Sequence, residues 1–213
     1  KAVKRWGKLG ELRLCYEASG AGFVLKRMLN SIGVECEVIA PSLIPKAPGN
    51  HIKTDKRDAR QLASLYWTGM LSVVRVPGED EEMVRALVRL RAQLTGDIVR
   101  IKNRVAKYLR TLGYQYWGQT WTQKHREWLR RLELRPLEDV VVSTHLGELE
   151  GLVERRAGID RQIEEIAQSE AYRERVGRLK SLRGVETFSA MVVLREIGDC
   201  RRFRKASELM SYL

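Results

Sequence analysis

Leu12-Arg13-Leu14-Cys15-Tyr16-Glu17-Ala18-Ser19-Gly20-Ala21-Gly22 is the stretch on which the reading of the fold turns. Leu12, Leu14 and Cys15-Tyr16 read as a short strand, and Glu17 to Gly22 as the turn that ends it. Phe23, Val24, Leu25, Met28 and Leu29 then share one face of a helix that closes near Gly33. Val34, Cys36, Val38 and Ile39 form the next strand, whose imperfect alternation suits a mostly buried, parallel arrangement. Strand, helix, strand in that order gives an α/β fold. Pro41, Pro45 and Pro48-Gly49-Asn50 mark a loop, and Thr54 is an N-cap for a helix running to about Trp67. Leu71 to Val76 reads as one more short strand before Pro77-Gly78 breaks the pattern.

Beyond that break the period changes. Glu79 to Glu82 place acidic residues in the first turn of a long helix. Its apolar positions are Met83, Leu87, Leu90, Leu94, Ile98, Ile101, Val105, Leu109 and Leu112, in steps of three and four. About 33 residues span roughly 50 Å, more than a small globule buries, so a coiled-coil hairpin is the natural reading. Residues 113–136 interrupt it with Tyr114, Tyr116, Trp117, Trp121 and Trp128 among Lys124, Arg126, Arg130, Arg131 and Arg135. A second long helix follows Pro136, with Val142, Leu146, Leu149, Val153, Ile163 and Ile166 on its seam and Gly151 and Gly158 as weak points. It is expected to fold back antiparallel on the first. The last stretch reads as helix, turn at Gly184 and helix, then the basic run Arg201-Arg202-Phe203-Arg204-Lys205. The divisions expected are 1–78, 79–175 and 176–213.

The 213 residues carry 39 Lys and Arg against 27 Asp and Glu, a net charge of +12. That excess favours a polyanionic partner, most simply nucleic acid. No run of 18 apolar residues occurs and no signal-peptide pattern opens the chain, so the expectation is a cytoplasmic protein with no membrane partner. Cys15, Cys36 and Cys200 are odd in number and lack metal-site spacing, which argues against a disulfide scaffold or a structural zinc site.

Three carboxylates are placed for chemistry. Glu17 sits just past the end of the first strand, where ligands of open α/β sheets bind. Asp55 and Asp58 lie three apart at a helix start, so both face one side. Three converging carboxylates in a basic domain would suit Mg²⁺, with Mn²⁺ as substitute, and two such ions could activate a nucleophile and stabilise a leaving oxygen in a phosphodiester. Lys53, Lys56, Arg57 and Arg60 would then meet backbone phosphates. The same residues also read as a helix cap, a helix-face ion pair and a surface residue.

The segments Tyr16-Glu17-Ala18-Ser19-Gly20 and Lys53-Thr54-Asp55-Lys56-Arg57-Asp58-Ala59 resemble the signature segments of the IS110-type insertion-sequence transposases, also called DEDD transposases or recombinases. Asn50 matches the approach to the second segment, and Leu182-Arg183-Gly184-Val185, Glu196-Ile197-Gly198-Asp199 and Arg202-Phe203 resemble the opening of the family's second domain. The resemblance implies a RuvC-like domain of RNase H-like fold. Its Asp, Glu, Asp, Asp tetrad would place the second, third and fourth acids on Glu17, Asp55 and Asp58. No Asp precedes Glu17, so the first strand is expected to be absent. The family's serine nucleophile is expected downstream of Leu213, which makes the chain an inactive middle piece of a longer enzyme.

By resemblance, the whole protein moves its element by cutting and rejoining DNA, with Mg²⁺ on the tetrad and a structured guide RNA choosing the target. The fold expected is therefore a truncated RNase H-like (RuvC-like) α/β domain, a long antiparallel coiled-coil hairpin and the helical start of a second domain. Arg100, Arg104, Lys107 and Arg110 lie on one face of the first long helix and read as a phosphate track, or as the solvated outer face of a coiled coil. Arg201, Arg202 and Arg204 add a second basic site. The aromatic segment reads as packing at the hairpin tip or a contact between copies, with base stacking as the alternative. The long apolar seam points to a homodimer or higher homo-oligomer. His51 could contact phosphate near the acidic site but reads more simply as a loop residue, and His125 and His145 carry no assigned role. A non-catalytic nucleic-acid-binding protein, a coiled-coil adaptor and a RuvC-like junction resolvase are the competing readings.

Overall fold

A computed structural model describes residues 11–45 and 54–212. The chain divides into two compact units, Lys1–Gly78 and Glu79–Leu213. It is mostly helical, with one small parallel sheet. Among the described residues no helix is long and apolar enough to cross a membrane.

The first unit is built on two parallel strands, β1 (Arg13–Glu17) and β2 (Glu35–Ile39), joined through helix α1 (Val24–Ser31). Their register runs from Arg13 opposite Glu35 to Glu17 opposite Ile39. Side chains alternate across a pleated strand. Leu14, Tyr16 and Cys36 pack with Leu29 of α1 on one face. The other face carries Arg13, Cys15, Glu35 and Glu37. Leu29 is buried, but Val24, Met28 and Ile32 stay exposed. Gly33, at φ 77°, makes the left-handed exit from α1 that the sequence places there. Polar side chains tie α1 to β2: Lys26 Nζ donates to the Cys36 carbonyl at 2.7 Å, and the Cys36 N–H donates to Asn30 Oδ1 at 3.2 Å.

Helix α2 (Asp55–Trp67) begins where Thr54 predicts: the Thr54 hydroxyl accepts from the Arg57 N–H at 3.4 Å. The expected strand over Leu71–Val76 is a single antiparallel bridge, Ile39 opposite Val73. Two bonds hold it, from the Val74 N–H to the Val38 carbonyl at 2.7 Å and from the Ala40 N–H to the Ser72 carbonyl at 3.0 Å. Pro77 follows closely and has no N–H to extend a ladder.

In the second unit, α3 (Glu79–Thr111) and α5 (Pro136–Gln168) are unbroken helices of 33 residues each. They lie antiparallel. Val88 packs with Ile163 and Ala167; Leu94, Ile98 and Ile101 pack with Leu149 and Leu152; Val105 and Leu109 pack with Val142. Gly151 and Gly158 do not interrupt α5, because packing along the seam outweighs a propensity cost of about 1 kcal/mol each. At its N-terminus the Glu138 carboxylate accepts from the Arg135 N–H at 3.1 Å.

The buried face differs from the periodic reading at its ends. Met83, Leu90 and Val153 are exposed, while Val88 and Leu152 are buried. A third helix causes the first shift. Beyond α4 (Gln123–Arg130) and α5, the chain forms α6 (Glu170–Lys180), α7 (Thr187–Ile197) and α8 (Ala206–Tyr212). Ala190, Met191 and Leu194 of α7 join the cluster around Val88 and so widen the face that α3 must bury there. The apolar seam that suggested a second copy is thus covered within the chain. Residues 113–136 contain a further helix, α4, capped by the Thr122 hydroxyl accepting from the His125 N–H at 3.3 Å.

Polar clamps fix α7 to α3. Arg85 donates twice to the Arg195 carbonyl, at 2.9 and 2.8 Å, closing the C-terminal end of α7. Arg89 grips Glu196 with two bonds of 2.7 Å, which holds the Glu196 carboxyl below the usual carboxylate range.

Ile101→Ala is expected to cost about 2–5 kcal/mol of unfolding free energy. Gly147→Ala, whose added Cβ meets nothing within 4 Å, is expected to gain about 0.5–1 kcal/mol. Urea denaturation followed by circular dichroism measures both, and an unchanged midpoint for Ile101→Ala would remove the seam from the core.

Candidate functional site

The carboxylates come from two elements of the first unit. Glu17 ends β1, and Asp55 and Asp58 occupy the first turn of α2. All three side chains are exposed. Asp55 and Asp58 share a turn because a helix brings positions three apart together, and the free N–H groups of that turn favour their charge. Strand alternation places Glu17 on the Cys15 face, where α2 packs against β1. Among the described residues no group of three or more His, Cys, Asp or Glu is gathered to hold a metal ion. The described residues therefore do not by themselves fit a divalent ion. Lys56 and Arg57 are exposed on the same first turn as the two Asp residues, whereas Asn50, His51 and Lys53 lie outside the described residues.

A groove of about 860 Å³ runs between that sheet face and α2, lined by Arg13, Cys15, Glu35 and Glu37 on one wall and Ala59, Leu62 and Tyr66 on the other. Burial, together with the charges of Glu37 and Glu35, pushes the Tyr66 hydroxyl up to about 12. Burial also raises the Cys15 and Cys36 thiols. None of these groups is therefore an ionised nucleophile near neutral pH.

The basic stripe of α3 is shorter than its sequence. Arg89 is engaged by Glu196, Arg91 by Asp160 at 2.7 Å and Arg100 by Asp97. Glu196 and Asp160 come from other helices, which a count along α3 alone does not find. Arg104, Lys107 and Arg110 remain exposed along one side of the last turns of α3. In the tail, Arg201 pairs with Asp199 at 3.1 Å, and Arg202 lies over the rings of Phe203 and Tyr212 at 4.5 and 4.3 Å. Arg204 is exposed, and its backbone N–H donates to Glu208 Oε2 at 2.8 Å.

The aromatic segment closes over the α3–α5 pair around His125, to which the sequence assigns nothing. His125 is buried, with Tyr116, Trp121 and Trp128 rings 4.8, 5.3 and 5.5 Å away. Its Nδ1 accepts from the Trp121 N–H at 3.1 Å, so the ring is neutral with its proton on Nε2. Burial holds the imidazole below its ordinary range. Only the spacing of His125 four residues after Trp121 on a helix start could have hinted at this pairing.

Similarity to known proteins bears on these residues. The family profile described as a transposase, of the DEDD IS110 type, matches residues 8–113. A putative transposase (y4qE) of Sinorhizobium fredii is 33% identical across 100% of this chain and 52% of its own length. The transposase for insertion sequence element IS1533 of Leptospira borgpetersenii is 36% identical over 89% of this chain and 56% of its own length. A probable family 20 transposase of Pseudomonas aeruginosa is 26% identical over 92% of this chain and 59% of its own length. The chain spans about half the length of the curated relatives it matches.

The His125 geometry predicts acid sensitivity. An unfolded histidine takes its proton near about pH 6.5, whereas the folded one resists it. The unfolded state then binds more protons, so this contribution is full above about pH 6.5 and is lost as pH falls through the lowered folded value. The urea midpoint of the wild type is expected to fall further between pH 7.5 and 5.5 than that of His125→Asn, which keeps an acceptor but does not titrate. Parallel curves would show that His125 is not held neutral.

Proposed function

Because the chain belongs to the IS110-type family of DEDD transposases, we propose that the protein carrying it cleaves and rejoins DNA strands of a mobile element. The observation that carries this reading is the family match over residues 8–113, which contains Glu17, Asp55 and Asp58. In this reading the first unit is a partial RuvC-like catalytic domain of RNase H-like type, and those three residues are its second, third and fourth acidic positions. Mg²⁺, with Mn²⁺ as substitute, is the cofactor the family implies. The described residues do not by themselves gather a group that would hold it.

The antiparallel α3–α5 pair corresponds to the coiled-coil hairpin, residues 79–175, and the part from 176 onward to the start of the second domain. A serine nucleophile and a structured guide RNA belong to the same reading and rest on the family resemblance, whereas self-association through the apolar seam and a cytoplasmic site of action rest on the sequence pattern.

The chain's own residues supply the DNA-binding part. Arg104, Lys107 and Arg110 present charge to backbone phosphates without reading bases. Lys56 and Arg57 do the same beside Asp55 and Asp58, which lets a phosphodiester approach a cluster that would otherwise repel it. Arg201, Arg202 and Arg204 form the corresponding basic site of the tail, and Lys53 and Arg100 complete the set.

Binding of this chain to duplex DNA, followed by anisotropy across a salt series, tests the reading. Replacing Arg104, Lys107 and Arg110 with Gln is expected to flatten the slope of log K against log salt by about 0.9 for each phosphate that is no longer neutralised. Asp55→Asn with Asp58→Asn is expected to leave DNA affinity within about two-fold, because a carboxylate near phosphate adds no attraction. An absence of salt-dependent DNA binding by the wild type would sink the reading.

A further inference from the structure

One cavity of the second unit is used neither by the carboxylates nor by the basic stripe. It holds about 280 Å³, with Trp121, Leu129, Leu149 and Val153 among its walls, and Glu150 and Glu154 line it as well. That is room for one flat ring system rather than for a larger organic ligand.

Trp121 has an unusual backbone. At φ 65° it is the one non-glycine residue with positive φ among those described. A bulky side chain in that region is strained, and such strain persists only where the surroundings hold it. Here the bond from the Trp121 N–H to His125 Nδ1 does so, and it keeps the indole fixed beside the cavity.

Cations gather around Lys102, which lies at the same ring. Lys102 Nζ lies 5.3 Å from the centroid of Trp121. Arg126 lines the cavity, and Arg156 Nε is buried without a hydrogen-bond partner. Asp160 Oδ2 is 3.8 Å from Arg156 Nε, while Oδ1 of the same carboxylate is taken by Arg91. Burial and the charges of Arg126 and Arg156 together lower the Lys102 ammonium. Crowded like charges with an unsatisfied buried donor are a cost that a bound anion would relieve.

We infer that this tip binds one unpaired nucleotide, its base stacked on Trp121 in the cavity and its phosphate held by Lys102, Arg126 and Arg156. The inference rests on the nucleic-acid reading above and assigns it a second, separate site. The charge distribution fixes the orientation. Glu150 and Glu154 keep a phosphate out of the cavity itself and can accept from a base amino group, while the cations beside the indole meet the phosphate. A base stacked on an aromatic ring, with cations on the backbone, is how single strands are held without sequence preference.

The test uses the intact chain with short single-stranded RNA and DNA of one sequence, and with the matching blunt duplex. Val153→Trp fills the cavity from an exposed position, and Lys102→Gln with Arg126→Gln removes cations without touching the buried clusters. Each variant is expected to bind single strands about ten-fold more weakly while its duplex affinity stays within about two-fold, as for loss of one binding element among several. Thiopyrimidine oligonucleotides are expected to photocrosslink to the peptide containing Trp121. A larger loss for RNA than for DNA would name RNA as the source of the nucleotide, and equal losses would admit both. If the wild type binds single strands, the variants match it and crosslinks fall elsewhere, the site is wrong while the proposed function stands. If Val153→Trp instead changes the oligomeric mass and leaves nucleotide binding intact, the cavity is a contact between copies. If the wild type binds no nucleic acid at all, both readings fall.

Discussion

Without the apolar seam between α3 and α5, neither helix of 33 residues would persist, because long polar helices gain little from propensity alone. The seam runs from Val88 against Ile163 and Ala167 to Leu109 near Val142, and its central side chains, Ile98 and Ile101, are nearly solvent-free. Each such side chain contributes about 1.5–3 kcal/mol on burial. The other parts of the second unit are attached to this pair. Helix α7 docks where Val88 turns inward, and its C-terminal end is closed by Arg85 and Arg89. The aromatic segment closes over the other end of the pair through Leu129, Trp121 and Trp128.

That attachment changes what the basic residues of α3 are free to do. Charges on the part of α3 nearest α7 and the middle of α5 are spent on holding helices together, through Glu196 and Asp160. Charges in the last turns, Arg104, Lys107 and Arg110, face solvent. A single stripe along the helix is thus divided into a structural half and a half available to phosphate. Lys102 belongs to neither. It turns toward Trp121, where burial and its neighbours make its charge costly.

The first unit follows a different logic. Its strands are short, and its core is a small cluster around Leu29, Val34 and Cys36. What it positions with care is the pair of element ends: the close of β1 at Glu17 and the capped start of α2 at Asp55 and Asp58. The carboxylates are exposed at these ends rather than buried, as suits groups that would meet a charged ligand. Neither the strand end nor the helix start is by itself evidence of catalysis, and the role proposed for them rests on the family match over residues 8–113.

Local chemistry was enough to read much of this from the chain. Thr54 as a cap, Gly33 as a helix exit, the helix over 55–67, the starts of the two long helices near Glu79 and Pro136, and the parallel strand pair all follow from residue types at fixed spacing. The family segments around Glu17 and Asp55 were likewise visible. Tertiary packing decided the rest. Val88 and Leu152 are buried while Leu90 and Val153 are exposed, because burial depends on which helices meet there, α7 at Val88 and α3 at Leu152, not on periodicity along one helix. The partners of Arg89 and Arg91 lie more than 60 positions away. His125 and Lys102 converge on Trp121 from two helices, and the charge of Arg156 acts on Lys102 from a third. No window of sequence contains that arrangement, since it exists only once the antiparallel seam has set the helices in register.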